Sequence, residues 1–184
     1  IKLSNKKVSS INESDEKTDE AANLDMDEEV LEFRLTAIAG DLSKPLLGME
    51  DASRFKSLAL EIDAIIHCGA EVNLIKPYSS LKASNVLGTQ EILRLATTNG
   101  LVKTKIKPVH YISTNGIFPV DPKAYESDDR NNTYGPVHLK EDVNLDKFAP
   151  FISEGYAMSK WVAEKMVTVA QSRGLPVSIL RPGN

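Results

Sequence analysis

From Arg34 onward the chain alternates short runs of β-forming residues with amphipathic stretches at helical spacing. That alternation limits the possible folds more than any other feature of the sequence. "RLTAIAG" (34–40) predicts a strand and "MEDASRFKSLALEI" (49–62) a helix. "DAIIHCGA" (63–70) is a continuous apolar run that fits a strand buried on both faces. The pattern then repeats. "SSLKASNVLGTQEILRLATTNG" (79–100) predicts a helix closed by Asn99 and Gly100, and "KPVHYIST" (107–114) a strand. "EGYAMSKWVAEKMVTVAQSRG" (154–174) predicts a helix stopped by Gly174, and "LPVSILRPG" (175–183) a last strand. Strands separated by single helices run parallel with right-handed crossovers, so the expected fold is α/β, a doubly wound parallel sheet. Ligands of such sheets lie beyond the carboxyl ends of the strands. This directs attention to four loops: Gly40-Asp41, His67 to Ala70, Ser113 to Gly116, and Arg181 to Asn184.

Charge divides the chain. Residues 1–30 hold nine acidic and four basic side chains, a balance of −5 within a total of −4. The segment has no aromatic residue and few large apolar ones, too little to offset the entropy of ordering itself. We therefore expect two parts: an acidic, poorly ordered or weakly helical segment over 1–33, and the α/β domain over 34–184. A small net negative charge argues against nucleic-acid and membrane-surface partners. The lone Cys68 makes no intramolecular disulfide, and no apolar run approaches the length of a spanning helix. A cytoplasmic protein is expected. No set of His and Cys spacings suits a metal. The polar stretch 119–150 is too long for a compact connection and is expected to act as a lid.

The chemistry gathers at the predicted strand ends. Tyr156 and Lys160 lie four apart, so in a helix they share a face, with Gly155 and Ala157 leaving the approach to Tyr156 open. A nearby ammonium stabilises a phenolate, and a tyrosine tuned in this way can pass a proton to a substrate oxygen near neutral pH. An isolated pair at this spacing is more often a surface contact, but the surroundings favour chemistry. Thr114 closes a predicted central strand, where its hydroxyl could donate to the same oxygen, although capping is the commoner fate of such a residue. Gly40-Asp41 offers either a carboxylate for an adenine amine or ribose hydroxyl, or a simple Asp turn. His67 and Cys68 read as packing residues. Asn85 is a polar residue on a sheet-facing helix, best explained if its amide satisfies backbone groups near the site.

Taken in order, "GD-L", "H-x-G-A", "N-V-x-G-T", "S-T" at a strand end, "Y-x-x-x-K" and "R-P-G" resemble an extended short-chain dehydrogenase/reductase. More narrowly, "GDLSKPLLGM", "EVNLIKPYSSLKASNVLGTQEILRLA", "GYAMSKWVAEK" and "GLPVSILRPGN" resemble the thioester reductase domains of nonribosomal peptide synthetases, carboxylic acid reductases and α-aminoadipate reductases, a male-sterility-type NAD-binding family. The resemblance covers about residues 34–184. It implies a Rossmann-like fold and a catalytic set of Thr114, Tyr156 and Lys160. It also places Asp41, Leu42, Gly69, Ala70, Asn73, Asn85, Ser113, Lys160, Pro182 and Gly183 near the cofactor. The implied reaction is NAD(P)H-dependent reduction of an acyl thioester, held on an acyl carrier domain or coenzyme A, to an aldehyde or onward to an alcohol. NADP(H) is the implied cofactor, with NAD the alternative.

No G-x-x-G-x-x-G occurs in the chain. The expected domain is therefore partial, lacking the first strand and the Gly-rich turn that cradles the pyrophosphate, and inactive on its own. Two other readings stay open: an extended dehydrogenase or epimerase acting on a sugar nucleotide or alcohol, and a non-catalytic nucleotide-sensing domain.

Overall fold

The structure, a computed structural model, describes residues 35–99, 105–125 and 139–182. The chain divides into two units, Ile1–Ile38 and Ala39–Asn184, and the elements below belong to the second. The acidic stretch 1–33 lies outside the described residues.

Three strands, β1 (Ile65–His67), β2 (Val109–Ile112) and β3 (Val177–Leu180), form one parallel sheet in the order β1-β2-β3. Ile65, Val109 and Val177 sit side by side, as do His67, Tyr111 and Ile179. Helix α1 (Ala52–Glu61) precedes β1. Helices α2 (Tyr78–Lys82) and α3 (Gly88–Thr97) lead from β1 to β2, and α4 (Gly155–Ser172) leads into β3. The fold is thus a Rossmann-like α/β arrangement, as the alternation predicts.

Local chemistry sets these elements. Asp51 caps α1, its carboxylate accepting from the Ser53 amide at 2.7 Å. Phe55 and Ala59, one turn apart, then face inward to meet Ile92, Leu95 and Ala96 of α3 and Ile65 and Val109 of the sheet. Ala163 and Val167 of α4 close on the fully buried Tyr111 in the same way.

The structure corrects four expectations. Residues 35–40 carry no strand; a strand exists only where it pairs, and the one sheet among the described residues consists of β1, β2 and β3. Strand β1 is buried on one face only, because Ile66 is 71% exposed between buried Ile65 and His67. The helix expected over 79–100 is interrupted by a π turn, Ala83–Leu87, in which the Gly88 amide reaches back to the Ala83 carbonyl; Gly100 lies outside the described residues. The stretch 119–150 is partly built into the core. Leu145 and Phe148 are buried with Ile117, and the Trp161 indole of α4 donates to the Leu145 carbonyl at 3.0 Å. Residues 126–138 of that stretch lie outside the described ones.

Candidate active site

Tyr156, Lys160 and Glu164 form a stripe down the inward side of α4, where an apolar row would ordinarily stand. Tyr156 is half-buried, Lys160 is 4% exposed and Glu164 is 0% exposed. Buried charges persist only with partners, and both have them. The Lys160 ammonium donates to the Ile112 carbonyl at 2.8 Å and lies 4.3 Å from the centre of the Tyr111 ring. The Glu164 carboxylate accepts from Arg181 through Nε at 3.0 Å and Nη2 at 2.5 Å. Burial lowers the Lys160 pKa to about 8, against the opposing pull of Glu164. The Tyr156 pKa is raised by burial. The expected depression by Lys160 is therefore reversed here, because the ammonium is directed at the end of β2 and at the Tyr111 ring.

Gly155 has a different role from the one read in the sequence. A Cβ there would stand 2.3 Å from the Lys76 carbonyl oxygen and 2.6 Å from the Tyr78 amide. Glycine lets the first turn of α4 press against the backbone of residues 76–78; exposing Tyr156 is not what demands it.

At the end of β2, the Ser113 amide donates to the Leu180 carbonyl at 2.7 Å, fastening two strand ends together. Thr114 is extended and caps the turn Asn115–Ile117, its hydroxyl oxygen accepting from the Gly116 amide at 3.1 Å. Capping uses the oxygen and leaves the hydroxyl proton free to donate. The Ile117 turn belongs to the same apolar cluster as Trp161. Thr114 and the first half of α4 are thereby held at one end of the sheet.

Asn85, buried in the π turn, uses its whole amide on protein groups. Oδ1 accepts from the Glu71 amide at 2.7 Å; Nδ2 donates to the Glu71 carbonyl at 3.0 Å and to Ser159 Oγ at 2.9 Å. Ser159, fully buried, passes its proton to the Tyr156 carbonyl at 2.7 Å. Asn85 thus fixes the loop after β1 to the helix of Tyr156 and has no donor left for a ligand. The extra residue of the π turn fits this job, since such turns gather at functional sites.

His67 is held nearby. Its Nε2 lies 3.0 Å from Thr89 Oγ1, whose single proton goes to the Asn85 carbonyl at 2.7 Å. His67 must therefore be the donor, with its proton on Nε2. Burial first, and the Lys160 charge second, lower its pKa to about 4. The unfolded ring takes up a proton near pH 6.5 and the folded ring does not until about pH 4. Stability from this site is complete above pH 6.5 and is lost as pH falls toward 4, by about 3 kcal/mol. Urea midpoints at pH 7 and pH 4.5 should therefore separate more in the wild type than in His67→Gln.

The expected cofactor residues lie in three groups. Asp41 forms a turn: its Oδ1 accepts from the Ser43 amide at 2.9 Å and the Ser43 hydroxyl at 2.6 Å. Those bonds, with Lys44, hold its pKa below the usual carboxylate range. Leu42 packs beneath the loop after β1; a Cβ on Gly69 would come within 2.6 Å of its Cδ1, and one on Gly88 within 2.7 Å of its carbonyl oxygen. Ala70 is half-buried beside Gly69. Asn73 accepts from the amides of Ile75 and Lys76 at 3.0 and 2.8 Å, shaping the next turn. Pro182 is exposed after β3, and Gly183 lies outside the described residues.

Two observations suit a nicotinamide dinucleotide at this edge. Ser113 Oγ, at the end of β2, is buried without a hydrogen-bond partner among the described residues, and Thr114 beside it keeps a hydroxyl proton free to donate. Sequence reading missed Ser159, Glu164 and Thr89. Of these, Glu164 had a signal in its spacing of four from Lys160; Ser159 and Thr89 had none until the helices were packed together.

The family described as male sterility protein, an NAD-binding family, matches residues 5–184. A glycine betaine reductase of Emericella nidulans is 40% identical over 82% of this chain and 10% of its own length. A carboxylic acid reductase of Segniliparus rugosus is 35% identical over 84% of the chain and 12% of its own length. Among solved structures, the terminal R domain from the myxalamid PKS-NRPS biosynthetic pathway superposes with a TM-score of 0.70 at 46% identity, over 85% of this chain and 35% of that one. The chain therefore spans about a third of that solved structure and a small part of these curated relatives.

Proposed function

The chain belongs to the male sterility family of NAD-binding domains, and from that premise we propose that its protein reduces an acyl thioester to an aldehyde and a free thiol, with NADPH as the preferred cofactor. The thioester is carried on a phosphopantetheine arm or on coenzyme A.

What supports this reading is that Thr114 follows β2 two residues after Ile112, whose carbonyl takes the Lys160 ammonium, with Tyr156 one turn before Lys160 on the same side of α4. The reduced nicotinamide, when bound, supplies the hydride. Tyr156 gives its phenolic proton to the carbonyl oxygen of the thioester, and Thr114 donates its free hydroxyl proton to the same oxygen as charge develops there. Lys160 keeps one N–H on the Ile112 carbonyl and has the others for the ribose of the nicotinamide. The hydroxyl so formed then gives up its proton as the carbonyl re-forms and the carbon–sulfur bond breaks, sulfur takes that proton and leaves as the thiol, and Tyr156 regains its proton from solvent. Ser113 and Ala70 border the nicotinamide end, Asp41 and Leu42 the adenosine end, and Asn85 positions the loop between them. Gly69, Asn73 and Pro182 shape the approach.

Full-length protein is expected to consume NADPH with an acyl-CoA or carrier-bound thioester and not with UDP- or dTDP-sugars. Turnover of the sugar nucleotide alone would transfer the site to an epimerase or dehydrogenase. Cofactor binding without turnover of either would mark a nucleotide sensor.

A further inference from the structure

The loop carrying Asp41 contains a conformation that side chains resist. Leu46 and Leu47 have φ of 53° and 57°, followed by Gly48 at 73°, so three successive residues lie in the left-handed region. Only glycine enters it freely. The turn is pressed directly onto Asp41. The Asp41 amide donates to the Leu47 carbonyl at 2.7 Å, and a Cβ on Gly48 would stand 2.9 Å from both the Asp41 nitrogen and its Cβ. A shift of the turn therefore shifts Asp41.

Leu47 is anchored in the core with Ile92 and Leu95, with Leu46 packed against it, and one side-chain hydrogen bond reaches the turn from outside the loop. Glu91, in the first turn of α3, accepts the Leu46 amide through Oε2 at 2.9 Å, across 45 positions of sequence. The carboxylate side chain is only 15% exposed and is also 3.6 Å from Arg94 Nη1. A largely buried acceptor aimed at the first amide of a left-handed turn is an unusual use of a glutamate on an amphipathic helix, where such a residue normally faces water.

We propose that Glu91 is a positioning residue of the cofactor pocket: by accepting the Leu46 amide it fixes the left-handed Leu46–Gly48 turn, and the turn fixes Asp41 against the adenosine end of the nicotinamide cofactor. The second half of this statement rests on the reading of Asp41 given above. The strain explains why a tether is needed, because two leucines will leave the left-handed region once the amide is released. It also predicts a specific suppressor: glycine at position 46 removes the need for Glu91.

The test uses the full-length protein, with amide hydrogen exchange at Leu46 and calorimetric binding of 2′,5′-ADP and NADPH. In Glu91→Ala, exchange at Leu46 is expected to accelerate at least tenfold, and both ligands to bind about tenfold more weakly. Glu91→Gln keeps a carbonyl acceptor and should behave as wild type. Glu91→Ala combined with Leu46→Gly should recover the binding of both ligands. Unchanged Leu46 exchange in Glu91→Ala would overturn the tether. Faster exchange with undiminished 2′,5′-ADP binding would overturn the link to the cofactor; if Asp41→Ala also binds 2′,5′-ADP normally, the fault lies in the reading of Asp41, and if Asp41→Ala binds it weakly, in the proposal for Glu91.

Discussion

Replacing Tyr156 by phenylalanine is expected to lower kcat of the full-length protein by about 10²–10⁴-fold, the usual contribution of a positioned general acid. Cofactor affinity should stay within about twofold. The ring is half-buried in the first turn of α4, and phenylalanine preserves that packing while removing the proton. Lys160→Ala should behave differently and damage both binding and rate. Its ammonium fastens α4 to the Ile112 carbonyl and stands over Tyr111, so its loss disturbs the wall of the pocket as well as the acid. Single-turnover consumption of NADPH with an acyl-CoA thioester, alongside calorimetric titration of NADPH, measures the two effects separately. A Tyr156→Phe variant that keeps more than about a tenth of kcat would assign the proton to another group.

The layout of the fold was legible because periodicity reports burial, and burial follows the sheet. Helices α1 and α4 and strands β1, β2 and β3 fall within the stretches that the apolar spacing marks. The exception at 34–40 is instructive. Its composition suits a strand, but hydrogen-bonded pairing is a property of two segments, and composition describes only one. The π turn was hidden for a similar reason: Ala83–Leu87 carries no Gly or Pro to mark an interruption, and the bonds of Asn85 to Glu71 and Ser159 that accompany it join segments far apart in sequence. The expectation that the Asn85 amide satisfies backbone groups was read from one buried polar residue among apolar neighbours, and the Glu71 loop is the group it satisfies. The left-handed Leu46–Leu47 pair left no trace at all, since nothing in the two side chains favours positive φ. Tertiary contacts at Asp41 and Glu91 impose it, at about 1–2 kcal/mol for each leucine.

Arg181→Ala is expected to be the most destabilising single change in the site, at about 3–5 kcal/mol, because it leaves a carboxylate buried without its cation. Glu164 is 0% exposed, and its oxygens lie against Arg181 Nε and Nη2. The charge itself is not what stability requires. A double variant, Glu164→Leu with Arg181→Met, fills the same space with apolar atoms and should return most of the lost stability, since well-packed apolar pairs commonly match or exceed buried ion pairs. What the double variant cannot return is the field at Lys160. Burial pulls the Lys160 pKa down to about 8 and Glu164 pulls it up, so removing the carboxylate leaves burial less opposed. The ammonium would then lose its proton at lower pH, and the alkaline limb of kcat should move below pH 8. Urea midpoints of the two variants, with pH–rate profiles of the wild type and the double variant, test both halves. A double variant that is stable but keeps the wild-type alkaline limb would reduce Glu164 to a packing element. One that remains as unstable as Arg181→Ala would show that the site depends on the geometry of the ion pair, which the apolar pair does not reproduce.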